Sequence, residues 1–79
     1  MNMDPGTWSA RVVAVIRAEM ASQQRTAESL AAVLGVTQPT AASRLDGETT
    51  FDLVEIERVA RWLNLSPSEL VARADERAA

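Results

Sequence analysis

Apolar residues fall along this chain in short stripes of helical period, each opened by a capping residue and closed by a glycine, an asparagine or a polar run. The first stripe is Trp8, Val12, Ile16 and Met20 at strict i+4 spacing, widened by Val13 and Val15, and it predicts a helix. Thr7 is its expected N-cap after an irregular lead at Asp4-Pro5-Gly6, and Ser22-Gln23-Gln24-Arg25 ends it without apolar periodicity. A second helix is expected behind Thr26, with Ala27, Leu30, Ala31 and Leu34 on one face. Gly35 ends it, because glycine takes positive φ without strain, and Val36 supplies the apolar residue that packs beneath such a cap.

Thr37 then caps a third helix, with Pro39 in its first turn, where a missing N–H costs little, and the helix runs to about Leu45 before Gly47 closes it. Asp52 and Glu55 form a capping-box pattern for a fourth helix, with Phe51 placed to staple onto Ile56. Its stripe is Leu53, Ile56, Ala60 and Leu63, and Asn64 is a residue that tolerates a left-handed cap. Ser66-Pro67-Ser68-Glu69 combines a hydroxyl cap, proline at the first helical position and glutamate at the third, so a fifth helix starts there, carries Leu70, Val71 and Ala74 and frays through its last few residues. The expectation is an all-α fold of five short helices in one domain, residues 1–79, with a helix-turn-helix at residues 26–47.

Trp62 does not share the stripe of the fourth helix; it projects well over roughly 90° from the mean direction of that stripe. An exposed large apolar side chain marks an interface more often than an accident, so Trp62, Val71 and Ala74 are the expected self-association face. The alternative is that the fifth helix folds over Trp62.

Composition narrows the chemistry. The 79 residues make one modest core, and aromatics are only 4% of a chain that is 47% hydrophobic, so Leu, Val, Ile and Ala must fill it. Cysteine and histidine are both absent, which removes disulfides, the usual zinc sites and the commonest acid–base and nucleophilic arrangements. No enzyme activity, cofactor or metal is expected. The acidic run Asp46, Glu48, Asp52, Glu55 and Glu57 lacks the spacing of a calcium loop and reads as caps plus solvated surface. The N-terminus has no basic region followed by an apolar run, and no apolar stretch approaches the roughly 18 residues of a membrane span, so a cytoplasmic location is expected.

All eight basic residues are arginine, the better side chain for two-pronged contacts with phosphate or guanine. The net charge of −3 opposes a nucleic-acid partner, because duplex binding is driven largely by neutralising phosphates. Its distribution softens the objection: residues 1–45 hold four arginines against three carboxylates, whereas residues 46–79 hold four against eight. The half that contains the helical corner is mildly positive and the other half clearly negative.

On the third helix, Gln38, Thr40, Ser43 and Arg44 point away from an apolar edge of Ala41 and Leu45, and they are side chains of the kind that reach base edges and phosphates. Ala41 and Ala42 keep the middle of that helix slim enough for a major groove about 12 Å wide. Arg25, beside Thr26 and the orphan N–H groups of the second helix, has the composition of a phosphate clamp. Both features also fit a solvated helix face and an exposed loop charge, and the residues by themselves leave the two readings open.

The ordered set of Thr26, Glu28, Leu30, Ala31, Leu34-Gly35-Val36-Thr37-Gln38, Arg44-Leu45-Asp46-Gly47-Glu48, Phe51, Leu53, Val59-Ala60, Leu63, Leu65-Ser66 and Glu69-Leu70 resembles the helix-turn-helix family of phage Cro proteins and repressors, over roughly residues 26–70. The variant with Arg-Leu, Gly-Glu and then Phe is similar to members from actinobacteria and their phages. The resemblance implies a five-helix lambda-repressor-like fold with the third helix in the major groove of double-stranded operator DNA. On that basis Gln38, Pro39 and Ser43 fall where the family reads bases, Thr37, Thr40 and Arg44 where it meets phosphate or the groove edge, and Arg25 with Thr26 at the backbone clamp. Two departures weaken each half-site: Ala27 stands where the family often has Gln, and Pro39 can offer only apolar contact. A homodimer over half-sites about 34 to 36 Å apart would compensate. Since the chain ends at the fifth helix, a Cro-like or minimal-repressor transcriptional regulator is expected. The other reading is a protein-binding module, antirepressor-like, that uses the acidic C-terminal half.

Overall fold

The computed structural model of the chain describes residues 7–76, and their regular secondary structure is entirely helical: α1 Trp8–Ser22, α2 Ala27–Leu34, α3 Gln38–Asp46, α4 Leu53–Trp62 and α5 Pro67–Glu76. The lead expected at Asp4-Pro5-Gly6 and the end of the chain beyond Glu76 lie outside the described residues. The N-caps follow from side-chain chemistry. Thr7, Thr26 and Thr37 accept the N–H of Ala10, Ser29 and Thr40 at 3.2, 3.1 and 3.3 Å. Asp52 with Glu55 and Ser66 with Glu69 close two reciprocal capping boxes, which fixes where α4 and α5 begin.

One device ends the first four helices. Gln24, Gly35, Gly47 and Asn64 all take positive φ, at 56, 69, 80 and 64°. In each case the N–H of the following residue returns to a carbonyl five residues back: Arg25 to Met20 at 2.8 Å, Val36 to Ala31 at 3.0 Å, Glu48 to Ser43 at 3.0 Å and Leu65 to Ala60 at 2.8 Å. Four abrupt reversals allow such short helices to pack around one centre.

That centre is aliphatic. Val12, Val15, Ile16 and Met20 of α1 meet Leu30, Ala31 and Leu34 of α2, Ala41 of α3, Val59 and Ala60 of α4, Leu63 and Leu65 after it, and Leu70 and Ala74 of α5. α1 packs on α5 and α3, α2 on α3 and α4, and α4 on α5. This makes α2 and α3 a braced pair with a free outer side.

Three expectations about the second half are corrected. Leu53 is 86% exposed: it sits at the first position of α4, and Val59, rather than Leu53, occupies the centre of the buried stripe. Trp62 is half-buried, with the Arg25 guanidinium over its ring. Ala74 is fully buried against the core, and Val71 lines a separate groove, so Trp62, Val71 and Ala74 do not form one outward face.

Candidate nucleic-acid interface

The corner between α2 and α3 is set by backbone conformation. A Cβ added at Gly35 would meet nothing within 4 Å, so it is the positive φ, and not crowding, that favours glycine there. The chain then enters α3 through Thr37, whose hydroxyl accepts the Thr40 N–H and also donates to the Thr40 hydroxyl at 3.0 Å. Thr37, Gln38 and Pro39 are exposed, and Thr40, Ala42 and Ser43 are half-buried, while Ala41 is sealed in the core. At 3.6 residues per turn, Pro39, Thr40, Ser43 and Asp46 lie on the side away from Ala41 and Leu45, with Gln38 at the open end of the first turn. Among the described residues, the side chains of Gln38 and Ser43 make no hydrogen bond. They remain available to an external partner.

Arg44 does not join them. Its Nε donates to Glu55 Oε1 at 3.0 Å, Nη2 to Oε2 at 3.4 Å, and Nη1 to the Thr49 hydroxyl at 2.6 Å. The two side chains are only 19% and 10% exposed, so a two-pronged ion pair ties the end of α3 to the start of α4 and offsets the positive charge. The sequence places Arg44 at a phosphate or the groove edge; in the fold it is engaged by a capping glutamate eleven residues on, which nothing in the α3 period revealed. That glutamate also accepts the Asp52 N–H at 3.0 Å.

Arg25 is held differently. Its guanidinium lies 4.9 Å from the centroid of the Trp62 ring, Nη2 donates to the Trp62 carbonyl at 3.1 Å, and Nε donates to Gln23 Oε1 at 3.4 Å. Gln23 is itself fixed by its Nε2, which donates to the Leu63 carbonyl at 2.8 Å and to Glu19 at 3.4 Å. Glu19 in turn pairs with Arg73 of α5. Each group touching the Arg25 guanidinium is neutral, so the side chain is positioned but its charge is not offset.

Arg17 was not singled out by the sequence. It reaches from α1 to the Leu45 carbonyl at 2.9 Å and lies 3.8 Å from Asp46, both side chains being more than half exposed. With Arg25, Ala27, Ala42, Leu45 and Asp46 it borders a shallow hollow of about 340 Å³ where α1, α2 and α3 converge. Two arginines therefore flank one side of the α2–α3 pair. Asp46 is the opposing charge on that rim. The acidic run further on is accounted for by internal work at Asp52 and Glu55, which cap α4, and among the described residues no group of three or more acidic side chains converges as a metal site would require.

Two short helices joined at a left-handed glycine, the second capped, slim and carrying Gln38 at its open end and Ser43 on its outer side without hydrogen bonds, define a helix-turn-helix domain. The model of one such family, the BetR domain, matches residues 8–79, and the chain belongs to that helix-turn-helix-like family. Comparison with curated proteins and with solved structures gives no significant match. Among the described residues, no helix is long and apolar enough to cross a membrane.

Proposed function

We propose that this domain binds double-stranded DNA sequence-specifically and acts as a transcriptional regulator of the Cro-like or minimal-repressor kind, without enzymatic chemistry. The observation that carries the reading is the pair of uncommitted polar side chains, Gln38 and Ser43, that α3 presents at the corner, in a chain of a helix-turn-helix-like family. α3 enters the major groove; Gln38 and Ser43 hydrogen-bond to base edges and Pro39 gives an apolar contact, for instance to a thymine methyl. Thr26, Thr37 and Thr40 line the groove edge, and Arg25 and Arg17 meet the backbone.

With two arginines rather than a basic stripe, each copy neutralises few phosphates. The slope of log K against log salt should be roughly −2 per protomer. Such a weak grip favours action in pairs, and the exposed apolar side chains Trp8, Leu53 and Val54 beside an apolar groove give a second copy a more suitable face than Trp62 does. The acidic C-terminal half favours one other reading, a protein-binding module on the same fold.

Selection from random duplexes separates the two. Enrichment of paired half-sites centred about 34 to 36 Å apart is expected, with Gln38→Ala and Ser43→Ala each relaxing preference at one or two base pairs by about 1–3 kcal/mol. No enrichment, together with binding insensitive to salt, would leave the protein-binding reading.

A further inference from the structure

We infer that Trp62, at the far end of α4 from the Arg44–Glu55 pair, is a positioning residue for backbone contact: its ring face and carbonyl hold the Arg25 guanidinium beside the N-terminus of α2. The inference rests on the DNA-binding reading above and assigns a role to a residue that the family resemblance leaves without one.

A free arginine side chain samples many rotamers, and binding phosphate from that ensemble loses the freedom of each. Here the backbone of Arg25 is already fixed twice, because its N–H caps α1 on the Met20 carbonyl and it stands immediately before the N-cap Thr26. The guanidinium is then fixed by a ring face at 4.9 Å, a carbonyl at 3.1 Å and an amide oxygen at 3.4 Å. A guanidinium has five N–H donors, and these contacts use one on Nε and one on Nη2, leaving both Nη1 donors and the second on Nη2 for an anion.

The alternative use of the same contacts is purely architectural, with Arg25 as a brace between α1 and α4. The nature of the partners argues against it as the whole account. A brace is served well by a carboxylate, as Arg44 is by Glu55, whereas Trp62 and Gln23 supply only neutral acceptors and a ring quadrupole, which hold a cation without offsetting its charge. The location fits as well, since Arg25 shares the rim of the hollow with Arg17 and with Ala27, the first residue of α2.

The test is the salt dependence of binding to a mixed-sequence duplex of about two helical turns, so that no operator need be known, with thermal melting confirming that each variant is folded. Arg25→Gln should shift the slope of log K against log salt toward zero by about 0.9, the value for one phosphate. Trp62→Leu, or Trp62→Met should the first variant fail to fold, removes the ring but keeps the backbone carbonyl and the charge, and should give part of that change, with about 3- to 10-fold weaker binding at low salt. Trp62→Phe, which keeps a ring face, should restore most of the slope. In the Arg25→Gln background, Trp62→Leu should have no further effect on the slope, as expected of two residues acting as one unit.

A wild-type slope retained in folded Trp62→Leu or Trp62→Met overturns the positioning role and leaves DNA binding intact. A wild-type chain that binds the duplex without salt dependence removes the DNA reading and this inference with it.

Discussion

Arg44 and Arg25 flank the same helical pair and were expected to do the same work, yet the fold anchors them by opposite means. Arg44 meets a carboxylate that is itself fixed by a capping box, and becomes the link between α3 and α4. Arg25 meets a ring, a carbonyl and an amide, and keeps its charge. Position beside the helical pair therefore says little about what an arginine does; the charge of what holds it says more. The sharpest way to break the contrast is to remove each anchor and ask which property falls, stability or grip on DNA.

The largest effect is expected at Glu55. Glu55→Ala removes one half of a mostly buried ion pair and one half of a capping box, leaving the Arg44 guanidinium with the Thr49 hydroxyl alone. Losing one partner of a fully buried pair costs about 3–5 kcal/mol; since both groups keep some contact with water, roughly 2–4 kcal/mol is expected here. Urea unfolding followed by Trp fluorescence would read it as a fall in midpoint with little change in slope.

Arg44→Met comes next and is the more diagnostic of the two. It should lower stability by roughly 1–3 kcal/mol yet spare much of the apolar packing of the long side chain. If Arg44 is spent inside the domain, the variant's salt slope for duplex binding matches wild type, in contrast to Arg25→Gln. A slope reduced by about one would show that Arg44 leaves Glu55 to reach phosphate, and the comparison would collapse.

Much of the architecture was legible because it rests on local chemistry. The caps at Thr7, Thr26, Thr37, Asp52 and Ser66 were readable from residue type and spacing, as were the two glycine stops and Asn64. Of the polar edge expected on α3, Thr40 and Ser43 lie on the outer side, whereas Arg44 turns to Glu55. What escaped were pairings made only by tertiary packing: Arg44 with Glu55, Arg17 with the Leu45 carbonyl, and Arg25 over Trp62. Each joins residues 11 to 37 positions apart, beyond the reach of periodicity or capping rules. Leu53 misled because a helix's first apolar residue can match the stripe and still protrude past the helices it packs on.

The corner itself offers a smaller test. Gly35→Ala adds a Cβ into open space, so its cost isolates the left-handed backbone, about 1–2 kcal/mol for an L residue, less some gain from a stiffer unfolded chain. A net loss of about 1 kcal/mol is expected, and for a domain of this size that lowers Tm by about 4–8 °C. If the melting temperature were unchanged, the corner would not depend on positive φ at this position.

The smallest predicted effect has the opposite sign. Gln24 occupies at the end of α1 the same left-handed position that Gly35 occupies at the end of α2, with the same pair of returning hydrogen bonds, but carries a side chain that disfavours it. Gln24→Gly should relieve that strain and lose part of the gain to a more flexible unfolded chain, for a net stabilisation of about 0.5 kcal/mol and a rise of about 2–4 °C in Tm. Because Arg25 follows directly, the substitution also probes the clamp. If Trp62 and Gln23 suffice to hold the guanidinium, the salt slope of duplex binding stays at its wild-type value while the domain becomes more stable. A reduced slope in the more stable protein would mean that the stiffness of the Gln24 backbone, and not the ring and the carbonyl, is what places Arg25 against the DNA.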